Sequence, residues 1–132
     1  MSQNNHWYYI YYFVNWTRGG RVYPNIDCWG LVCDAYKRRR NITLDAYTQF
    51  SERSMTNGMS DAINQFIKLD ENDNFQELDV VCWIVGKQLR HVGIMINSCE
   101  YIHCDRIRGT CIGYIKYIID NVNVYRYKGL IC

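Results

Sequence analysis

The sequence has little proline, little net charge and no long hydrophobic run. Its 132 residues include one proline and nine glycines, which excludes collagen-like and proline-rich low-complexity proteins. Fifteen basic and thirteen acidic residues give a net charge of +2, so we expect neither nucleic acid nor an anionic membrane as the main partner. The N-terminal apolar run at 7–14 is shorter than the roughly 20 residues that cross a bilayer, so we expect no membrane insertion.

Seven cysteines are present, but a disulfide scaffold is not expected. Their number is odd, and the N-terminal segment MSQNNHWYYIYYFVNW has neither the basic region nor the cleavage site of a secretory signal peptide. Proteins that stay in a reducing compartment keep their cysteines as thiols. We therefore expect synthesis in the cytoplasm without a signal peptide, with most cysteines packed as small apolar side chains and one available for chemistry.

Hydrophobic periodicity divides the chain into a helical first half and a strand-rich second half. It predicts helices over 5–16, 28–40 and 57–69. Apolar and alternating runs predict strands over 80–85, 91–96, 100–104, 110–117 and 122–127. This order indicates a single α+β domain over 1–132, with N-terminal helices packed on an antiparallel sheet of about five strands. The helix at 5–16 is aromatic on several faces, which makes it a possible docking element for a partner protein.

Cys28 is a candidate nucleophile because of its predicted place in a helix. It follows Asp27, a good N-cap residue, and so occupies the first helical turn. Unpaired backbone N–H groups and the positive end of the helix dipole lie there, and both favour the reactive thiolate. Asp27 itself is interpreted as a structural N-cap rather than a catalytic group, because a carboxylate beside a thiol raises the pKa of that thiol.

Two histidines are predicted to share one face of a hairpin that turns at Asn97. His91 and His103 are equidistant from this residue, so they can lie directly opposite each other with Cβ atoms about 5 Å apart. Gly93 on the same face leaves room for a close approach. A thiol, a base and a residue that orients the base form the arrangement used in nucleophilic catalysis. Spacing alone favours a packed cysteine and two structural histidines over a catalytic triad.

Several short motifs, taken in order, resemble the NlpC-type family of papain-like cell-wall peptidases. The similarity begins at Trp16 and continues through the segments 19–20, 27–32, 78–81, 91–94 and 101–103. Together these motifs span 16 to about 127, which is nearly the whole chain. The form Asp-Cys-Trp-Gly-Leu-Val, with Trp29 where most members have serine, resembles the branch found in bacteriophage tail proteins.

The resemblance implies roles for individual residues. Cys28 corresponds to the nucleophile, His91 to the general base and His103 to the third polar residue of the family's catalytic site. Trp16 stands where many members have a substrate-binding tyrosine, and Leu78 stands where the family has a glycine, so we expect a different turn there. The backbone N–H of Cys28 is the natural oxyanion donor, because it lies at a helix N-terminus.

The resemblance also implies a substrate and a setting. The family hydrolyses amide bonds in peptidoglycan stem peptides, typically between γ-D-glutamyl and a diamino acid, without a cofactor. The phage branch implies tail-tip or baseplate hub proteins as partners and the tail tip of the virion as the location. There, a cysteine peptidase would help to open the cell wall for DNA entry.

Three other functions are weighed against this one. Cys99, His103, Cys104 and Cys111 carry zinc-ligand atoms, but no C-x-x-C pair is present and these residues alternate between strand faces, so no metal is expected. A structural tail-tip or tail-assembly subunit with a vestigial or gated peptidase site remains an alternative. An acyltransferase on the same scaffold is less favoured, because permuted acyltransferases place histidine before cysteine.

Overall fold

One long helix packs against a six-stranded antiparallel sheet in the part of the chain that the computed structural model describes, residues 6–44, 65–86 and 88–131. The sheet has the strand order β3-β8-β4-β5-β6-β7, and a separate two-stranded ribbon joins β1 to β2. The helix and strands are β1 (Arg21–Val22), β2 (Asn25–Ile26), α1 (Cys28–Arg40), β3 (Phe66–Lys68), β4 (Val80–Val85), β5 (Gln88–Met95), β6 (Glu100–Asp105), β7 (Gly109–Tyr114) and β8 (Val122–Tyr127). The predicted α+β class is confirmed, with six strands rather than about five. No helix in these ranges is long and apolar enough to cross a membrane.

Helix α1 begins and ends where its capping residues predict. The Asp27 side chain accepts a hydrogen bond from the backbone N–H of Gly30 at 2.7 Å, and the helix ends at Asn41 in the left-handed conformation. Its last turn holds the basic run 37–40, which suits the negative end of the helix dipole. The predicted helix over 28–40 is therefore confirmed, with its first residue in the position that the N-cap assigned to it.

Two glycines allow the β1–β2 ribbon to lie directly against the first turn of α1. A Cβ atom on Gly30 would come within 2.0 Å of the Gly20 carbonyl oxygen, and one on Gly20 within 2.1 Å of the Asn25 carbonyl oxygen. Any larger residue would push the ribbon away from the helix. This close packing fixes the position of Cys28 relative to the chain that precedes it.

The strand predicted to be covered on both faces lies inside the sheet. β4 pairs with β5 on one side and with β8 on the other. Alternate residues face opposite ways along a strand, so Val80 and Cys82 pack towards α1, whereas Val81 belongs to a second apolar cluster on the other face. The predicted strand over 80–85 is confirmed.

The turn before β4 is held by buried polar contacts. Leu78 is fully buried with a φ of 75°, in the left-handed region that favours glycine. Its carbonyl oxygen accepts a hydrogen bond from the Tyr36 hydroxyl. Next to it, buried Asp79 forms an ion pair with Arg126 on β8, with contacts of 2.8 and 2.9 Å. The turn therefore keeps a backbone conformation typical of glycine although leucine occupies it.

Three predicted elements are wrong or only partly right. The helix over 5–16 is reduced to a short 3₁₀ helix at Trp7–Tyr11, because the backbone beyond it bonds to distant strands: Val14 accepts from Thr110 and Thr17 donates to Ile26. The end of the helix predicted over 57–69 instead forms β3, paired with β8, and 57–64 lie outside the described residues. The strand predicted over 110–117 ends at 114, where another 3₁₀ turn begins.

Candidate active site

Cys28 lies in the first turn of α1 beside strand β5. Its side chain is 1% exposed, and backbone hydrogen bonds from Trp29 and Val92 reach its thiol. Val92 directly follows His91 on β5. The start of α1 therefore packs on β5 at the residue that follows the candidate base.

The resting thiol is protonated at neutral pH. Burial raises the pKa of Cys28 to about 12, and the adjacent Asp27 carboxylate adds to this rise. The hydrogen bonds from Trp29 and Val92 lower the pKa but do not compensate for the lost hydration. The expectation that the helix N-terminus makes this thiol more acidic is therefore wrong, because desolvation outweighs the helix dipole here.

Asp27 serves as the N-cap and as the partner of an arginine. Its carboxylate is fully buried, accepts from the Gly30 N–H at 2.7 Å and contacts Arg21 Nη1 at 2.7 Å. Burial raises the pKa of this carboxyl, whereas Arg21 and Gly30 oppose the rise. The predicted N-cap position of Asp27 is confirmed. Arg21 was not predicted from the sequence, because nothing local connects it with the helix start.

His91 and His103 form a hydrogen-bonded pair. His91 Nε2 lies 2.8 Å from His103 Nδ1, so the prediction that the two imidazoles lie side by side is confirmed. The prediction that they are directly opposite is wrong: Ile94 pairs with Ile102, which places His103 opposite Gly93 and makes the histidines diagonal neighbours. The register differs because the turn is centred one residue beyond Asn97.

The side chain of Asn97 sets this register. Its Oδ1 accepts hydrogen bonds from the backbone N–H groups of Cys99 and Glu100, each at 2.8 Å. The Ile96 N–H then donates to the Glu100 carbonyl oxygen at 2.9 Å. Asn97 is therefore the first residue of the turn rather than its centre.

Burial keeps both imidazoles neutral at neutral pH. It lowers the pKa of His91 to about 4, with His103 adding to the fall and Asp105 opposing it. Burial also lowers the pKa of His103, again against the effect of Asp105. A neutral imidazole has one nitrogen that donates and one that accepts, so the pair can share one hydrogen bond and still accept a proton.

Gly93 gives the pair the space that the sequence predicted. A Cβ atom at this position would lie 2.9 Å from the Ile102 carbonyl oxygen and 3.0 Å from the His103 Cβ. The same atom would contact the ring of Trp83 at 3.4 Å. Glycine therefore lets β6 and the neighbouring aromatic ring approach β5 beside His91.

Sequence reasoning missed the two aromatic residues around the histidines. Trp83 is registered opposite His91, and its ring contacts both imidazoles. Tyr101 contacts the rings of Trp83 and His103. The β4–β5 register would have revealed Trp83, but the apolar run that contains it was interpreted only as a buried strand.

Trp16 is half-buried beside the segment that leads into α1. Its backbone forms a parallel bridge with Ile26, two residues before Cys28. The guanidinium carbons of Arg18 and Arg106 lie 5.7 and 5.6 Å from its ring centroid. Two cations therefore flank this indole, at distances typical of cation–π contacts.

The cysteines named as zinc ligands are dispersed. Across 6–44, 65–86 and 88–131, no three acidic, histidine or cysteine side chains lie close enough together to hold a metal ion. Cys104 is buried and its thiol contacts the Ile26 carbonyl oxygen at 3.8 Å, whereas Cys99 is exposed. Cys111 is half-buried, with its sulfur 3.6 Å from the Gly109 carbonyl oxygen.

Comparisons with known proteins agree on one family and one fold. The model of the NlpC/P60 family matches residues 14–119, which include all the candidate site residues. A similar solved structure is the NlpC/p60 domain of the peptidoglycan hydrolase SagA, with a TM-score of 0.57 and 16% identity over 89% of this chain and 90% of that chain. A search of curated protein sequences found no match.

Proposed function

The chain belongs to the NlpC/P60 family, whose papain-like fold it shares, and on that premise we propose that its single domain, residues 1–132, is a cysteine peptidase that hydrolyses amide bonds in peptidoglycan stem peptides. The observation that carries this proposal is the histidine pair. His91 and His103 share a hydrogen bond of 2.8 Å, and the residue after His91 donates a backbone hydrogen bond to the Cys28 thiol.

In the proposed reaction, Cys28 gives its proton to His91 as its sulfur attacks the substrate. Because Nε2 of His91 is bonded to His103, we assign proton acceptance to Nδ1, with the Nε2–H donating to His103 Nδ1. The sulfur attacks the amide carbonyl carbon, and a C–S bond forms as the carbonyl π electrons move to oxygen. We assign stabilisation of this oxyanion to the backbone N–H of Cys28, because Cys28 is the first residue of α1.

The acyl-enzyme then forms and is hydrolysed. The C–N bond breaks, and the amine leaves with the proton held by His91. Water attacks the thioester while His91 takes one of its protons, and the C–S bond breaks to release a carboxylic acid and restore the thiol. Since the resting thiol and imidazole are both neutral, proton transfer accompanies attack rather than preceding it as a stable ion pair.

The proposed scissile bond joins γ-D-glutamyl to a diamino acid. Trp16 is proposed to bind this substrate near Cys28, in the place of the tyrosine found in many relatives. Arg18 and Arg106 flank the indole, and guanidinium groups bind carboxylates such as those of stem peptides. These contacts support an acidic peptide at this site.

The test is release of soluble fragments from purified Gram-negative sacculi. We expect fragments with the natural chain and none with Cys28→Ala, and mass spectrometry of the new termini identifies the bond. Cys33→Ala is the matched control, because it removes another buried α1 thiol without touching the proposed chemistry. Equal release by the natural chain and Cys28→Ala, or no release by either, contradicts the proposal.

We further propose that the peptidase is made in the host cytoplasm and built into a bacteriophage tail tip. The phage-like motif around Trp29 supports this location. An exposed aromatic edge supports docking to a tail-tip or baseplate hub protein: Tyr9, Tyr12 and Phe13 are 49%, 37% and 96% exposed. Aromatic side chains of this kind are enriched at protein interfaces.

Virion composition and hub binding test this location. We expect the chain in purified virions by mass spectrometry, and weaker hub binding after Phe13→Ser than after Ile107→Ser, a control that removes an equally exposed apolar residue from the β6–β7 turn. Absence from virions rejects the location. If virions carrying Cys28→Ala eject DNA normally, the alternative of a structural subunit with a vestigial or gated site is favoured.

A further inference from the structure

We propose that Trp83 is a positioning residue, whose indole packs against both imidazoles and holds His91 and His103 in their hydrogen-bonded orientation. Its consequence for catalysis rests on the proposed peptidase function. The packing itself is independent of that function and can be tested separately.

The indole reaches both histidines from the neighbouring strand. Trp83 on β4 is the register partner of His91 on β5, and their ring centroids are 4.9 Å apart. The same indole is stacked on His103, with centroids 5.3 Å apart and an interplanar angle of 29°. A single side chain therefore contacts both partners of the 2.8 Å hydrogen bond.

The backbone geometry of β4 and β5 allows Trp83 to contact both imidazoles. The β4–β5 register shifts between Trp83 and Ile84, so Trp83 is the last β4 residue in regular register before the irregularity. Bulges of this kind redirect side chains next to functional sites. On the facing strand, a Cβ atom at Gly93 would meet the indole at 3.4 Å and the His103 Cβ at 3.0 Å. Glycine leaves the indole free to lie over both rings.

Tyr101 also packs against the indole. Its ring meets Trp83 nearly edge-on, with centroids 5.5 Å apart and an interplanar angle of 71°, and it also contacts His103. Tyr101 is buried with Val81 and Met95 in the apolar cluster on this face of the sheet. Because close-packed side chains have one favoured rotamer, this contact limits the positions that Trp83 can adopt.

Loss of the indole has two expected consequences. The imidazole rings gain rotational freedom, so a smaller fraction of molecules has the reactive orientation. Water also reaches His91, whose pKa rises towards its ordinary value as burial decreases. The charged and titratable groups near the pair are Asp105 and Arg108 of the β6–β7 turn, the Tyr101 phenol and the Cys28 thiol beside Val92. The substitutions below leave all of them in place.

The experiment compares Trp83→Met, which keeps flexible apolar bulk, with Trp83→Phe, which keeps a ring. Phe75→Leu is the control, since Phe75 packs on the same apolar cluster. With a soluble stem-peptide substrate, we expect Trp83→Met to lower kcat about tenfold or more with KM within about twofold, and Trp83→Phe to recover most of kcat. Nitrogen-15 NMR of the imidazoles should show a higher His91 pKa in Trp83→Met alone.

Each result supports or overturns the proposal. Unchanged kcat and unchanged histidine titration in Trp83→Met overturn it, as does an equal loss in Trp83→Phe or in Phe75→Leu. If the natural chain has no peptidase activity, the proposed function fails, and the NMR titration still decides the positioning role. If Trp83→Met does not fold, nuclear Overhauser contacts between the indole and both imidazoles in the natural chain decide it, and their absence overturns the proposal.

Discussion

Buried polar groups are stabilised in two different ways at the two ends of the sheet segment formed by β4 and β5. Where β4 begins, Asp79 is fully buried, and Arg126 meets its carboxylate with two contacts of 2.8 and 2.9 Å. Where β4 approaches its end, His91 and His103 are neutral, bonded to each other and packed against Trp83. A direct ion pair holds the Asp79 carboxylate, whereas the neutral imidazole pair can accept a proton and return it.

The same contrast recurs at the start of α1. The Asp27 carboxylate is paired with Arg21, whereas the adjacent Cys28 thiol is kept protonated by burial. The two ion pairs therefore hold the starts of β4 and α1 in place. The neutral Cys28 thiol and the histidine pair carry out the proposed proton transfers. The following predictions test this difference between ion-paired and neutral groups, because each substitution removes a group of one kind.

The largest expected effect is on activity, from loss of the proposed base. His91→Ala should lower the rate of fragment release by roughly 10³-fold, because general base catalysis and the activation of Cys28 are lost together. His6→Ala, which removes an exposed imidazole, should leave the rate unchanged. If His91→Ala retains more than about a tenth of the natural rate, His91 is not the base.

The next effect is on stability, from breaking the buried ion pair. Arg126→Met leaves the Asp79 carboxylate buried without its guanidinium and should lower the free energy of unfolding by about 3 kcal/mol. Arg108→Met is the matched control, since Arg108 is 69% exposed and lies 3.6 Å from Asp105; its loss should cost less than about 1 kcal/mol. Urea unfolding followed by tryptophan fluorescence measures the free energy of unfolding of both variants. Equal losses would show that the buried ion pair stabilises the fold no more than the exposed one.

A pH effect of intermediate size should come from the histidines. The pKa of His91 is lowered from 6.5 to about 4 in the folded chain, so its contribution to stability is present above pH 6.5 and is lost as the pH falls towards 4. The loss should be of the order of 2–3 kcal/mol. His91→Gln should flatten this part of the pH profile of urea unfolding, and an unchanged profile would show that His91 is not buried neutral.

Local patterns in the sequence were sufficient for the elements that carry the site. Asp27 marked the start of α1, the apolar run marked β4, and the spacing about Asn97 marked the β5–β6 hairpin. Each of these signals lies within a few residues of the element it predicts. The same spacing identified His91 and His103 as neighbours on one face, although it placed them two residues out of register.

The features that were missed depend on contacts between distant parts of the chain. The segment after Tyr11 is not helical, because its backbone bonds to Thr110 and Ile26. The pKa of Cys28 rises rather than falls, because burial depends on the packing of β5 against α1. Trp83 was missed for the same reason, since its role appears only when β4 is aligned with β5. Contacts between residues that are far apart in the sequence leave no signal in a local pattern.

The smallest expected effect tests whether the neutral pair senses a nearby charge. Asp105 opposes the fall in the pKa of His91, so Asp105→Asn should lower that pKa slightly further. Asparagine keeps the side-chain oxygen that accepts from the Ile107 and Arg108 N–H groups, so the turn should remain folded. Asp120→Asn provides an exposed control, and NMR titration of His91 measures both. An unchanged His91 pKa in Asp105→Asn would mean that the charge of the β6–β7 turn does not influence the histidine pair.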